Sequence, residues 1–164
     1  MIYENLSTSP DGNYILKASV YSFWLWKYTG IQYDYLSIVD ANIGSIIALT
    51  KEETCNFHKI NWSSDSQYAV SLWGDGKYLI EAIVMDIPDK TISNMSENIH
   101  NIIKETYDDS VLFERYHDSF VEWISNEQGK FSFSMNKNNG FISGWYIYDF
   151  TKDEIVDYEY EISE

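Results

Sequence analysis

Few residues of this 164-residue chain are spaced for chemistry. Cys55 and His58 lie three apart, a spacing that suits two metal ligands or a nucleophile with its base. Nothing else nearby completes either site, so a structural cysteine, a surface histidine and no bound metal are expected. His117 precedes Asp118, a pair that could orient an imidazole for proton transfer. Adjacent residues of a strand point to opposite faces, which argues against it. His100 falls within a helical pattern. Carboxylates stand side by side at Asp108-Asp109 and Asp153-Glu154, but an acid and a nucleophile need a cleft and opposed environments, and solvated turns explain both pairs as well. A Gly-x-Ser-x-Gly elbow, a phosphate-binding glycine loop and a Cys-x-x-Cys pair are all missing. Gly74-Asp75-Gly76 reads as a hairpin turn. The sequence thus predicts a non-catalytic chain without a cofactor.

Charge is more informative. Eleven Lys and Arg against 26 Asp and Glu give a formal charge of −15. Such a chain repels nucleic acid and anionic lipid and draws cationic surfaces toward it. Residues 105–122 and 153–164 together hold 12 of the 26 acids and one base, Arg115. In the tail, Val156, Tyr158, Tyr160 and Ile162 alternate with Asp157, Glu159 and Glu161, which predicts a strand with an apolar face inward and an acidic row outward. Like charges about 7 Å apart repel, so the row gives the fold nothing by itself. Solubility is the bland explanation. The residues expected at a partner surface are Asp157, Glu159, Glu161, Asp153, Glu154, Asp108, Asp109, Glu114 and Asp118. Of the six tryptophans, Trp24 and Trp26, two apart on one strand face, are the candidate aromatic anchors.

The elements that must carry these residues are mainly strands. Aromatics reach 17% and hydrophobic residues 45%, mostly in alternating patterns that favour pleated surfaces. The length fits one domain over 1–164. Lone Cys55 excludes an internal disulfide and suits a reducing compartment. Met1-Ile2-Tyr3-Glu4-Asn5 shows no secretory pattern, and no apolar run approaches the ~20 residues that span a bilayer. A cytoplasmic chain away from membranes is expected. Strands are predicted at 14–28, 31–40, 77–86, 141–149 and 155–162. Met95, Ile99, Ile102 and Ile103 recur at helical spacing behind Ser93 and Asn94, predicting one helix over 95–107.

A unit recurs three times. Ile38-Val39-Asp40 is followed by Ile46, Val84-Met85-Asp86 by Ile92, and Ile147-Tyr148-Asp149 by Ile155, each isoleucine six positions after its aspartate. Hairpins are expected ahead of them at Thr29-Gly30, Asp75-Gly76 and Asn139-Gly140. Serine-rich turns come earlier still, at Ser9-Pro10-Asp11-Gly12-Asn13-Tyr14, at Trp62-Ser63-Ser64-Asp65-Ser66-Gln67-Tyr68 and at Trp123-Ile124-Ser125-Asn126-Glu127. Asp40, Asp86 and Asp149 share one repeat position and are read as turn caps. The turns and the strand-ending aspartates resemble the blade signature of TolB-like and WD-type β-propellers. That resemblance implies a binding platform and carries no activity. Propellers close with four or more blades, whereas here three units, about 9–49, 62–92 and 123–157, are interrupted by a helix. The expected fold is mainly β: three repeated blade-like antiparallel hairpin units, in an incomplete propeller or a sandwich, plus the one helix.

An acidic chain without catalytic residues is similar in character to small bacterial immunity proteins. The leading expectation is therefore a protein that occludes the active site of a basic toxin, a nuclease domain included. A carbohydrate- or peptide-binding β module is the alternative, and a small carboxylate-dependent hydrolase the third reading.

Overall fold

The structure, a computed structural model, describes residues 2–20, 35–50, 56–74, 79–106, 115–137 and 140–163. Its strands are β1 (Ile2–Thr8), β2 (Tyr14–Val20), β3 (Tyr35–Asp40), β4 (Ile46–Leu49), β5 (Asn56–Trp62), β6 (Tyr68–Gly74), β7 (Leu79–Asp86) and β8 (Thr91–Asn94), then β9 (Arg115–Trp123), β10 (Gln128–Lys137), β11 (Gly140–Asp149) and β12 (Glu154–Ser163). One helix, α1 (Ser96–Thr106), lies between β8 and β9 among the described residues. The strands form three four-stranded antiparallel meanders, β1–β4, β5–β8 and β9–β12. The fold is mainly β and blade-like, and each unit begins one strand earlier than its sequence signature. The predicted turns at Thr29-Gly30 and Asp75-Gly76 lie outside the described residues, as does Asn139. Around Asn139, β10 and β11 pair up to Lys137 opposite Gly140.

Equivalent side chains build equivalent corners. In the first unit the Ser9 hydroxyl donates to Asp11 at 2.6 Å and accepts the Tyr14 amide at 3.0 Å. In the second, Ser63 donates to Asp65 at 2.7 Å and accepts the Tyr68 amide at 3.0 Å. Three residues after each serine the backbone turns left-handed, at Gly12 (φ 76°) and at Ser66 (φ 63°). The aspartates that end the third strands cap the next turns. Asp40 accepts from the Asn42 amide, Asp86 from the Asp89 amide, and Asp149 from the Thr151 and Lys152 amides. Four residues on, each chain is again left-handed, at Gly44, Lys90 and Asp153. The isoleucine of the repeat then opens the fourth strand by pairing with the residue before the aspartate: Val39 with Ile46, Met85 with Ile92, Tyr148 with Ile155. Capping by aspartate and a tight left-handed residue are what this turn chemistry needs.

The units stack through β6 and β7. Ala69, Ile83 and Met85 pack with Leu16, Leu36 and Ile38 of the first unit. Val70, Ala82 and Val84 pack with Met95 just ahead of the helix, with the helix residues Ile99 and Ile103, and with Phe131, Phe133, Met135 and Tyr146 of the third. A sheet covered on both faces reads as a continuous apolar run rather than as alternation, and Ala82-Ile83-Val84-Met85 is such a run. The helix begins where the sequence placed it, with the Asn94 side chain accepting the Ser96 amide at 2.9 Å.

Two expectations need correction. Val156, Tyr158 and Ile162 are not buried: they are 39%, 45% and 45% exposed. β12 is the last strand of its sheet, where Val156 falls in a bulge between Ile155 and Asp157 and only Ile155 and Tyr160 are packed against the core. Their acidic neighbours are exposed as expected. Asp118 is not a surface residue either. It is 1% exposed, because its strand turns that face toward α1 and β7.

Candidate functional site

The strand registers of the third unit set out three rows across the face turned away from the core. Directly opposed residues share a face, which gives Glu122–Lys130–Ile147–Asp157, then Ser119–Ser132–Trp145–Glu159, then His117–Ser134–Ser143–Glu161. Every row ends on an acid at the outer margin of β12. All three acids are exposed. The ion pair between described residues is elsewhere, Lys152 with Asp149 at 3.1 Å. Glu159 instead accepts the Trp145 indole N–H at 3.3 Å, and the Lys130 ammonium sits 4.3 Å from the centre of the Trp145 ring. That ring is therefore held within the sheet surface by a cation above it. On the other face, Tyr158 and Tyr160 stack with centroids 6.2 Å apart. This margin combines a carboxylate row that forms no ion pair among the described residues with exposed apolar side chains. It can attract a cationic surface and desolvate against it.

Of the other predicted surface residues, Glu154 is exposed at the start of β12. Asp153 fills the left-handed turn position and accepts the Tyr148 hydroxyl, so its carboxylate is engaged within the fold. Burial, then that aspartate, push the Tyr148 phenol upward. Asp108, Asp109, Glu114, Trp24, Trp26 and Cys55 lie outside the described residues. His117 and Asp118 point to opposite faces, in keeping with the strand argument.

Asp118 belongs to a different kind of site. β7 pairs on one side with β8 through Ile83–Asp86 and with β9 through Leu79 and Ile80. The sheet thus forks at Ala82. Asp118 accepts the Ala82 amide at 3.2 Å, the Tyr116 hydroxyl at 2.5 Å and the Ser96 hydroxyl, while the Ala82 carbonyl accepts the Met95 amide at 3.1 Å. Tyr146, fully buried, brings its hydroxyl beside the same carboxylate without an aligned hydrogen bond. Burial raises the Asp118 carboxyl to about 7, against the lowering effect of its donors. His100 touches Tyr116 edge-on at 3.9 Å, and burial, then Lys104, hold it down at about 4. A buried acid whose partners are two backbone strands and a helix terminus closes a junction.

Sequence reasoning missed two features. One is Trp145 with Lys130 and Glu159, which becomes visible only once the hairpin registers are known. The other is an open groove of about 370 Å³ between β4 and β8, floored by Trp73 and Ile83 and rimmed by Lys90 and Asn94. Its walls come from different units, so no local pattern announces it. Among the described residues no group of three or more His, Cys, Asp and Glu side chains gathers as a metal site. No helix among them is long and apolar enough to cross a membrane.

No family model matches this chain, and no curated protein matches it. Solved structures similar to it include TolB from Acinetobacter baumannii (TM-score 0.43, 14% identity, 94% of this chain and 31% of that one). Others are an acylaminoacyl peptidase of Pyrococcus horikoshii (0.46, 8%, 91% and 23%) and the Swd1 β-propeller domain of Myceliophteria thermophila (0.41, 10%, 96% and 58%). This chain spans about a third or less of the first two.

Proposed function

We propose that this chain is a non-catalytic binding protein that presents the acidic margin of its third meander to a basic protein. Within that class we propose an immunity protein acting inside the cell, which occludes the substrate cleft of a basic toxin such as a nuclease. The observation that carries the reading is the exposed row Asp157, Glu159 and Glu161, which forms no ion pair among the described residues. Carboxylates placed there would occupy the sites where the toxin's lysines and arginines grip phosphates. Charge would speed encounter, and the apolar side chains beside the row would slow departure. The carbohydrate-module alternative has less support, since Lys130 already lies over the Trp145 ring on which a sugar would stack. The hydrolase reading has less again. Of its candidate pairs, Asp153-Glu154 has Asp153 tied to Tyr148, and Asp108-Asp109 lies outside the described residues.

The test is recovery of bound protein from the native cells, followed by binding kinetics across a salt series. A basic partner should associate more slowly as salt rises, because exposed charges are screened over about 8–10 Å at physiological ionic strength. Reversal of Asp157, Glu159 and Glu161 to lysine should slow association further while the fold persists. Recovery of no basic protein, or unchanged association by the reversed variant, defeats the proposal.

A further inference from the structure

We infer that the partner is engaged by strand addition: an extended basic segment pairs along the free edge of β12 as a fifth strand of the third meander. This rests on the binding reading above and goes beyond it by making the backbone of β12, with its two side-chain rows, the recognised element.

Among the described residues, β12 presents the longest free edge. β12 ends its sheet, is ten residues long, and among the described residues pairs on one side only, with β11. The outer strands β4 and β8 are four residues each and face one another across the groove. The edges β1 and β5 are seven residues each and approach one another where the Trp62 indole donates to Ser7 at 3.0 Å. Edges are normally blunted by shortness, proline, charged side chains and lysine above all, a bulge or a covering element. The charges on β12 are all carboxylates, which repel a like edge and not a basic one. β12 has neither proline nor lysine, and its one irregularity sits at Val156, leaving Asp157–Ser163 regular. Val156, Tyr158 and Ile162 on one face and Asp157, Glu159 and Glu161 on the other are exposed, so among the described residues only Ile155 and Tyr160 of this strand are packed over.

Charge then selects the occupant. A second copy pairing β12 with β12 would set carboxylates against carboxylates across the new ladder, which is destabilising. A strand with Lys or Arg at every second position meets Asp157, Glu159 and Glu161 on one face, since both ladders repeat at about 7 Å. Its intervening residues meet Tyr158 and Ile162 on the other, where apolar or β-branched side chains fit. Main-chain hydrogen bonds would supply the common attraction and the alternating side chains the choice of partner.

The probe is a capped ten-residue peptide alternating lysine with threonine and valine, titrated against the full chain at low salt. Two further peptides carry N-methyl groups on the odd or on the even residues. An added strand uses the amides of one edge only. One methylated form should therefore bind about tenfold more weakly or worse, and the other should match the parent. Amide exchange in Asp157–Ser163 should slow when the parent peptide is bound. If both methylated forms bind like the parent, or the parent fails to bind while the triple reversal still weakens a recovered basic partner, strand addition is overturned and the acidic surface stands. If the triple reversal leaves peptide binding unchanged, both readings fall. Concentration-dependent protection of the same amides without peptide would assign the edge to a second copy and overturn the inference.

Discussion

β7 and β12 occupy opposite situations in the same kind of meander. β7 carries Ala82-Ile83-Val84-Met85, with no alternation, and all four side chains are buried because sheets lie against both faces. β12 carries the cleanest alternation in the chain and buries almost nothing. Alternation therefore shows which residues share a face. Whether that face is covered depends on elements elsewhere, and at β12 the described residues cover only Ile155 and Tyr160.

The contrast can be tested in order of expected effect. Met85→Ala should destabilise the chain by about 2–5 kcal/mol in chemical denaturation, as loss of a fully buried side chain does. Ile162→Ala should stay within about 0.5 kcal/mol. Equal losses at the two positions would mean that β12 is covered after all.

A second test uses the acid at the sheet fork. The folded Asp118 carboxyl is raised from 3.8 to about 7. Its contribution is therefore fully present below the unfolded value and is lost as pH climbs toward 7. Between those values the folded state holds one proton more, so stability should fall by about 1.4 kcal/mol per pH unit from this group. Asp118→Asn should flatten that slope in denaturation series from pH 5 to 8. Asp11 responds with the opposite sign. Its hydrogen bonds from Ser9 and the Asn13 amide hold it at about 2, so its contribution fades only as pH drops below the ordinary carboxylate range.

Smaller changes follow at β12 itself. A β-carbon on Gly144 would lie 2.1 Å from the Glu159 carbonyl oxygen and 2.8 Å from the Tyr160 α-carbon. Gly144→Ala should cost about 1–3 kcal/mol, with amide protection lost selectively along β12. The smallest effect belongs to the triple reversal of Asp157, Glu159 and Glu161, which should leave unfolding free energy within about 0.5 kcal/mol. A larger loss would show that the acidic row supports the fold.

Local turn chemistry made much of the architecture legible. The Ser-x-Asp corners, the capping role of Asp40, Asp86 and Asp149, and the helix start at Asn94 depend on residues within a few positions of one another. The acidic row was legible for the same reason, because alternation within one strand is local. Burial of Asp118 was not. Its environment comes from Ser96, Ala82 and Tyr116, of which only Tyr116 is near in sequence, so Asp118 read as one more acid in an acidic stretch. The exposure of Val156, Tyr158 and Ile162 was hidden likewise, since nothing within a strand declares its position in the sheet.

The fork at Ala82 also bears on the order in which the chain comes together. Within each meander, neighbouring strands are consecutive and close over short loops. The parallel contacts of Leu79 with Tyr116 and Ile80 with His117 instead close a loop of 37 residues around β8 and the helix. Long loops cost more entropy before their contacts repay it, so the individual units should assemble first and the seam between the second and third last. Weakening the seam, by Ser96→Ala for instance, should then quicken unfolding while leaving the refolding rate nearly untouched, the pattern of contacts made after the rate-limiting barrier.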